Sequence, residues 1–176
     1  MSKTKWTLDP AHSEVSFKVK HMMITNVTGL LTDYNVEATS ASDDFVNADV
    51  TFSGKLASIN TGNEQRDAHL RSADFFDVDT NKEVTFKSTK IEKSGSDLKL
   101  HGNLTIKGIT KPIVLDVEFG GINKDPWGNT KAGFTVSGKL NRKDFGLNWN
   151  AALETGGVLV SDDVKIAAEI QLVKAA

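Results

Sequence analysis

The clearest regularity in the chain is an apolar–polar alternation of period two. Leu98, Leu100, Gly102, Leu104 and Ile106 alternate with Lys99, His101, Asn103, Thr105 and Lys107. Successive side chains of a β-strand point to opposite faces, so the spacing predicts a strand with one apolar and one wet face. Gly108-Ile109-Thr110-Lys111-Pro112 breaks the run. Proline has no N–H for a ladder and favours an extended residue before it, so Pro112 is expected to open a second strand. That strand has Ile113, Leu115, Val117 and Phe119 on one face and Asp116 and Glu118 on the other. Residues 98–119 therefore predict an antiparallel hairpin.

The rest of the chain repeats this pattern. Val15, Phe17 and Val19 alternate with Ser16, Lys18 and Lys20, and the apolar patch Met22-Met23-Ile24-Thr25 then breaks parity as a short turn of helix or a cap. Between Gly29 and Ala38 the apolar residues slip out of parity, which predicts a bulge near Thr32-Asp33. Residues 39–44 read as a polar loop. Apolar faces follow at Ala48, Val50, Phe52, Gly54 and Leu56, at Val84 and Phe86 in a short strand, at Ala132, Phe134, Val136, Gly138 and Leu140, and at Ile166, Ala168, Ile170 and Leu172. Gly120-Gly121 and residues 125–129 predict a turn-rich loop. One helix is expected, over residues 61–72, with Thr61 as N-cap of a capping box closed by Glu64.

Eight strands with one apolar face each predict an all-β fold, either a sandwich or an eight-stranded antiparallel barrel with one inserted short helix. A closed barrel of that size has an interior just wide enough for side chains or one small ligand. At 176 residues the chain is read as a single domain over 1–176. Its formal charge of −2, with interspersed signs, lacks a basic footprint, so nucleic acid is not expected as a partner. No transmembrane segment and no leader are expected, because no apolar run reaches spanning length and the first ten residues lack an apolar signal core. As written, the chain is expected in the cytoplasm, and in the periplasm if a leader has been removed. The absence of cysteine excludes disulfides, thiol catalysis and thiolate metal sites.

Histidines 12, 21, 69 and 101 lack metal-ligand spacing and an HExxH pair, so neither metal nor other cofactor is expected. There is no G-x-S-x-G elbow, and the chain is not read as an enzyme; His12, His69 and Asp67 are the acid–base candidates of a weaker reading.

Several motifs resemble the YceI-like family of bacterial proteins: residues 9–13 (DPAHS), 61–70 (TGNEQRDAHL), 74–77 (DFFD), 102–108 (GNLTIKG) and 142–146 (RKDFG). The similarity runs from Trp6 to about Val173. It implies a lipocalin-like barrel whose lumen binds, transports or stores a polyisoprenoid or other long-chain amphiphilic lipid such as a fatty acid, often as a homodimer. Relatives commonly have a proline entering the strand after the helix, where this chain has Lys82-Glu83-Val84.

With that resemblance, the expected lumen-lining residues are Phe17, Val19, Phe52, Phe86, Leu104, Leu115, Val117, Phe134, Val136, Ala168 and Ile170. Gly54, Gly102, Gly138 and Ala168 lie on inward faces, where small residues either leave room for a ligand or relieve the bending of barrel closure. Arg66 and Arg71 on the helix, and Arg142 and Lys143 in a loop, are candidates for an anionic head group. The alternative, favoured by residue chemistry alone, is that Arg66 and Arg71 tie the helix to Asp67, Asp74 or Asp77 while Arg142-Lys143 is a solvated turn. A third functional reading is a solid scaffold barrel that binds a protein partner on its outside.

Overall fold

The computed structural model describes residues 3–150 and 159–175. Its strands are β1 (Thr4–Leu8), β2 (Glu14–His21), β3 (Thr25–Leu31), β4 (Tyr34–Ser40), β5 (Asp49–Lys55) and β6 (Ile59–Asn60), then β7 (Glu83–Ser94), β8 (Asp97–Ile106), β9 (Ile109–Lys124), β10 (Thr130–Asn141) and β11 (Val160–Lys174). One α-helix, α1 (Glu64–Arg71), lies between β6 and β7. Six of these segments combine into three bent strands. β1 and β2 run along one edge of β11, with Leu8 opposite Leu172 and Glu14 opposite Glu169, and a 3-10 turn at Pro10–His12 bends the chain between them. β3 and β4 answer them on the other side, His21 facing Thr25 and Thr4 facing Ser40. β5 and β6 pair with β4 and β3 in turn.

Counting each bent pair once, eight antiparallel strands meander in chain order and close where β11 meets β1 and β2. Closure leaves few free edges, which is the usual advantage of a barrel. The expected bulge near Thr32-Asp33 is the bend between β3 and β4, where the amides of both residues turn to Ser58. The N-terminal segment around Trp6 belongs to the wall, although its short run shows little alternation.

Four local expectations are corrected. The β8–β9 hairpin turns on Lys107-Gly108 alone, at φ +53° and +74°, the signature of a two-residue type I′ turn. Pro112 consequently lies inside β9, opposite Asn103; it is tolerated because β9 pairs only with β8 there, its pairing to β10 starting at Asp116. Gly120-Gly121 is a bulge within β9, with Gly121 at φ +104°, and the loop is confined to residues 125–129. The strand expected at Val84 and Phe86 extends to Ser94, carried past a bulge between Ser88 and Lys90.

The helix is also capped differently. Asn63, not Thr61, is the N-cap, accepting from the Arg66 amide at 3.0 Å. Thr61 instead donates its hydroxyl and its amide to buried Asp67, at 2.6 and 2.8 Å, fastening the loop before the helix to the helix itself.

The two ends of the barrel are finished differently. At the end where β1 begins and β11 ends, the loop at 41–48 turns inward and buries Phe45, whose ring packs against Trp6, Phe119 and Phe134 with centroids 5.2, 5.4 and 5.0 Å away. The sequence predicts only a polar loop over residues 39–44, of which Thr39 and Ser40 end β4 instead. The loop's hydroxyls and carboxylate fold the turn on itself, with Ser42 donating to Asp44 and Asp44 accepting from the Val46 amide, and so aim Phe45 into the lumen at φ +61°. At the other end, α1 and residues 142–150 lie across the mouth.

Candidate functional site

The lumen beneath α1 encloses a cavity of about 600 Å³, open at the helix end. Its size falls within the range of small-molecule sites, about 300–1,000 Å³. The wall is the inward row of the strands: Val15, Phe17 and Val19 of β2, Phe52 of β5, Val84 and Phe86 of β7, Leu100 and Leu104 of β8, Leu115 of β9, Val136 and Leu140 of β10, and Val164, Ile166, Ala168 and Ile170 of β11. From Val164 to Ile170 the lining runs about 20 Å along the strand. Many of these side chains are only half-buried although they face inward, because they look onto the void.

Nine of the eleven expected lining residues border this cavity: Phe17, Val19, Phe52, Phe86, Leu104, Leu115, Val136, Ala168 and Ile170. Val117 and Phe134 do not. They also point inward, but they border a separate space of about 80 Å³ beside the Phe45 plug. The cause is position along the barrel axis: strand parity sets the face but not the depth at which the plug begins.

The inward glycines answer the packing question in a third way. A Cβ at Gly54 would meet Leu31 at 2.2 Å, at Gly102 Phe86 at 2.3 Å, and at Gly138 Leu115 at 2.4 Å. At Gly29, paired directly with Phe17, it would meet that ring at 2.2 Å. These glycines neither hold open ligand space nor serve bending alone; each is the bed on which a neighbouring large side chain lies flat. Ala168 is the small residue that opens onto the cavity.

A lid that lacks strand periodicity covers the mouth. Leu70, Phe75, Phe76, Leu147 and Trp149 line the cavity from above. Trp149, Phe75 and His69 interlock, the His69 ring standing edge-on to the other two with centroids 4.7 and 5.0 Å away. Leu147 and Trp149 carry no lid signal in the sequence, because residues 146–150 are too few to establish a period. The polar lining includes Lys20, His21, Thr61, Asn63, Gln65 and Arg66, together with Ser16, His69 and Arg142.

The four cations expected as head-group ligands separate. Arg142 is buried, and its guanidinium donates to the carbonyls of Ser161 and Leu147 at 2.8 and 2.6 Å and of Trp149 and Val160 at 2.8 and 3.3 Å. Four of its five N–H donors are thereby used, and Asp162 stands 3.9 Å away. Burial pulls its pKa below the usual arginine value, with Asp162 opposing. Arg142 borders the cavity, and with most of its donors it clamps the 147–150 segment to β11, so the solvated turn does not describe it. Lys143 is exposed at 3.4 Å from Asp162, and Arg71 pairs with Glu64 at 2.9 Å; neither borders the cavity. Arg66 remains at the rim, exposed, with its Nε and one terminal nitrogen donating to Thr61 at 2.7 and 2.8 Å.

The acid–base candidates do not converge. Asp67 is engaged by Thr61, His69 sits 2.9 Å from Asp74, and His12 sits 2.8 Å from Asp9 on the outer wall. Of the three only His69 borders the cavity. Among the described residues no cluster of three or more His, Asp or Glu could hold a metal ion, and no helix is long and apolar enough to cross a membrane.

The model of the YceI-like domain family matches residues 6–172. A UPF0312 protein of Staphylococcus aureus strain MSSA476 is 43% identical over 169 residues, 96% of each chain. The crystal structure of a Campylobacter jejuni YceI protein superposes with a TM-score of 0.76 at 36% identity, covering 96% of this chain and 97% of that one. Burkholderia cenocepacia BcnA (TM-score 0.79, 21% identity, 93% and 98% coverage) shares the fold, as does a polyisoprenoid-binding domain from Saccharophagus degradans (0.66, 16%, 97% and 98%).

Proposed function

The chain belongs to the YceI-like domain family, and on that premise we propose that it is a non-catalytic carrier or store for a long-chain amphiphilic lipid of polyisoprenoid type. The observation that carries this reading is the cavity: about 600 Å³, walled mainly by aliphatic and aromatic side chains, with its polar lining gathered at the helix end. A lipid tail suits such a space, since each buried CH2 contributes about 0.8 kcal/mol and asks for no polar partner. A charged head must stay at the rim, because an unpaired charge in the lumen is prohibitively costly. Arg66, Gln65 and Asn63 are the groups positioned to meet it. The polyisoprenoid-binding domain of the same fold supports the choice of ligand class. A solid scaffold barrel fits less well, because the lumen holds a cavity of about 600 Å³. Native mass spectrometry of freshly purified protein, with extraction of what it carries, tests the reading. A bound long-chain lipid is the expected result; a chain that stays empty after exposure to polyisoprenoid alcohols, their phosphates and fatty acids overturns it.

A further inference from the structure

The β2–β3 hairpin stands at the rim of the cavity, since Lys20 and His21 before the turn and Val27 after it all border the opening. Its tip is Met22-Met23-Ile24, with 42%, 55% and 76% of each residue exposed. Three successive large apolar residues in water are unusual at a turn, where polar residues are the rule. Two of them also hold left-handed backbone, Met22 at φ +52° and Met23 at φ +64°, which glycine or asparagine would adopt with less strain. Neither folding nor solubility accounts for methionine at these positions.

The outer wall behind the tip has a second feature that folding does not explain. Lys18 of β2 stands opposite Lys165 of β11, which stands opposite Lys139 of β10, so three exposed lysines lie in one row across adjacent strands. Like charges directly opposite each other weaken a sheet. Among the described residues only Lys139 of the three has a carboxylate partner, Asp163 at 3.2 Å. Lys20, nearer the tip on the same strand face, also has no carboxylate partner among the described residues.

We propose that this hairpin is a membrane-docking element: Met22, Met23 and Ile24 enter the boundary between head groups and acyl chains of an anionic bilayer, while Lys18, Lys20 and Lys165 face lipid phosphates. The inference rests on the lipid-carrier reading and gives that carrier a surface from which to load, because docking by this tip brings the mouth against the bilayer. Three apolar side chains and a few lysines anchor weakly and reversibly, as a carrier that must leave again requires.

Co-sedimentation of the full chain with vesicles tests it, using phosphatidylcholine alone and phosphatidylcholine mixed equally with phosphatidylglycerol. Binding is expected to the anionic vesicles and to weaken as salt is raised. The double substitution Met23→Ser with Ile24→Ser should lower it roughly tenfold or more, and Lys18→Gln with Lys165→Gln should lower it roughly threefold or more, with melting temperatures not lowered by either, because all four sites are exposed and the lysine pair repels. No binding of the unaltered chain to anionic vesicles, equal binding by the tip variant, or a tip variant whose sole change is from dimer to monomer would overturn the inference. Lipid delivered from detergent micelles and read by native mass spectrometry separates the two readings. Tip-dependent vesicle binding without micelle-delivered lipid keeps the docking element and removes the carrier; micelle-delivered lipid without vesicle binding does the reverse.

Discussion

At the closed end of the barrel, Trp6, Phe45, Phe119 and Phe134 reach inward from four separate segments and meet within van der Waals range. At the open end, Val164, Ile166 and Ala168 of β11 face inward in the same alternating fashion, and what they face is void. The strands are equivalent at both ends. The difference lies in the connections: the 41–48 loop sends an aromatic ring into the lumen, whereas α1 and residues 147–149 lie across the mouth and cover the space without filling it. A cavity in a small barrel is therefore a property of its loops as much as of its wall.

Removing the plug should have the largest effect on this contrast. Phe45→Ala deletes a fully buried ring and its aromatic contacts and should cost about 3–5 kcal/mol, read by denaturant unfolding. A cost below about 1 kcal/mol would mean that the closed end is not packed as described. Arg142→Ala should come next. It strands four carbonyls of the lid and β11 and should cost about 2–4 kcal/mol, with phosphorylated lipids and their neutral alcohols weakened alike. Selective loss of the phosphorylated ligand would assign Arg142 a head-group role.

The same substitution at the two ends sharpens the comparison. Ala132, fully buried at the closed end, should resist Ala132→Leu at a cost of about 1–3 kcal/mol, because the added carbons must displace packed neighbours. Ala168→Leu should change lipid-free stability by less than about 1 kcal/mol yet abolish lipid uptake, because its carbons enter the cavity. Melting must be done without lipid, since bound ligand itself stabilises the native state. Equal destabilisation at both sites would mean that the lumen is filled throughout.

The smallest effect concerns pH at the closed end. Lys131 donates to Asp9 at 2.6 Å and lies 3.7 Å from Asp125. The Lys131 hydrogen bond holds the Asp9 carboxyl below the usual carboxylate range, with burial opposing and His12 assisting. Because the folded value lies below the unfolded one, this stabilisation is complete above the ordinary Asp value of about 3.9 and is lost as pH falls through the folded value. Lys131 is shifted upward by the same bond, so its share is complete below the ordinary Lys value of about 10.4 and is lost as pH rises through the folded value. Melting from neutral to strongly acidic pH should decline less steeply in Asp9→Asn than in the unaltered chain; identical slopes would remove the bond from the account.

Strand parity was legible from residues alone. Alternation in Val15–Phe17–Val19, Leu98–Leu100–Leu104 and Ile166–Ala168–Ile170 identifies the faces that line the barrel, because a pleated strand exchanges faces at every residue whatever its surroundings. A break in that parity likewise marked the bend at Thr32-Asp33. Depth was not legible. Val117 and Phe134 obey the same alternation as Leu115 and Val136, and only the inward fold of the 41–48 loop puts the first pair beside the plug. The side chains that lie over the glycines, the lid formed by Leu147 and Trp149, and the capture of Arg142 by four carbonyls all join residues distant in sequence. Period-two patterning records how each residue relates to its own strand. The division of the lumen into a packed end and an empty one depends on which loops enter it, and that is decided only when the barrel closes.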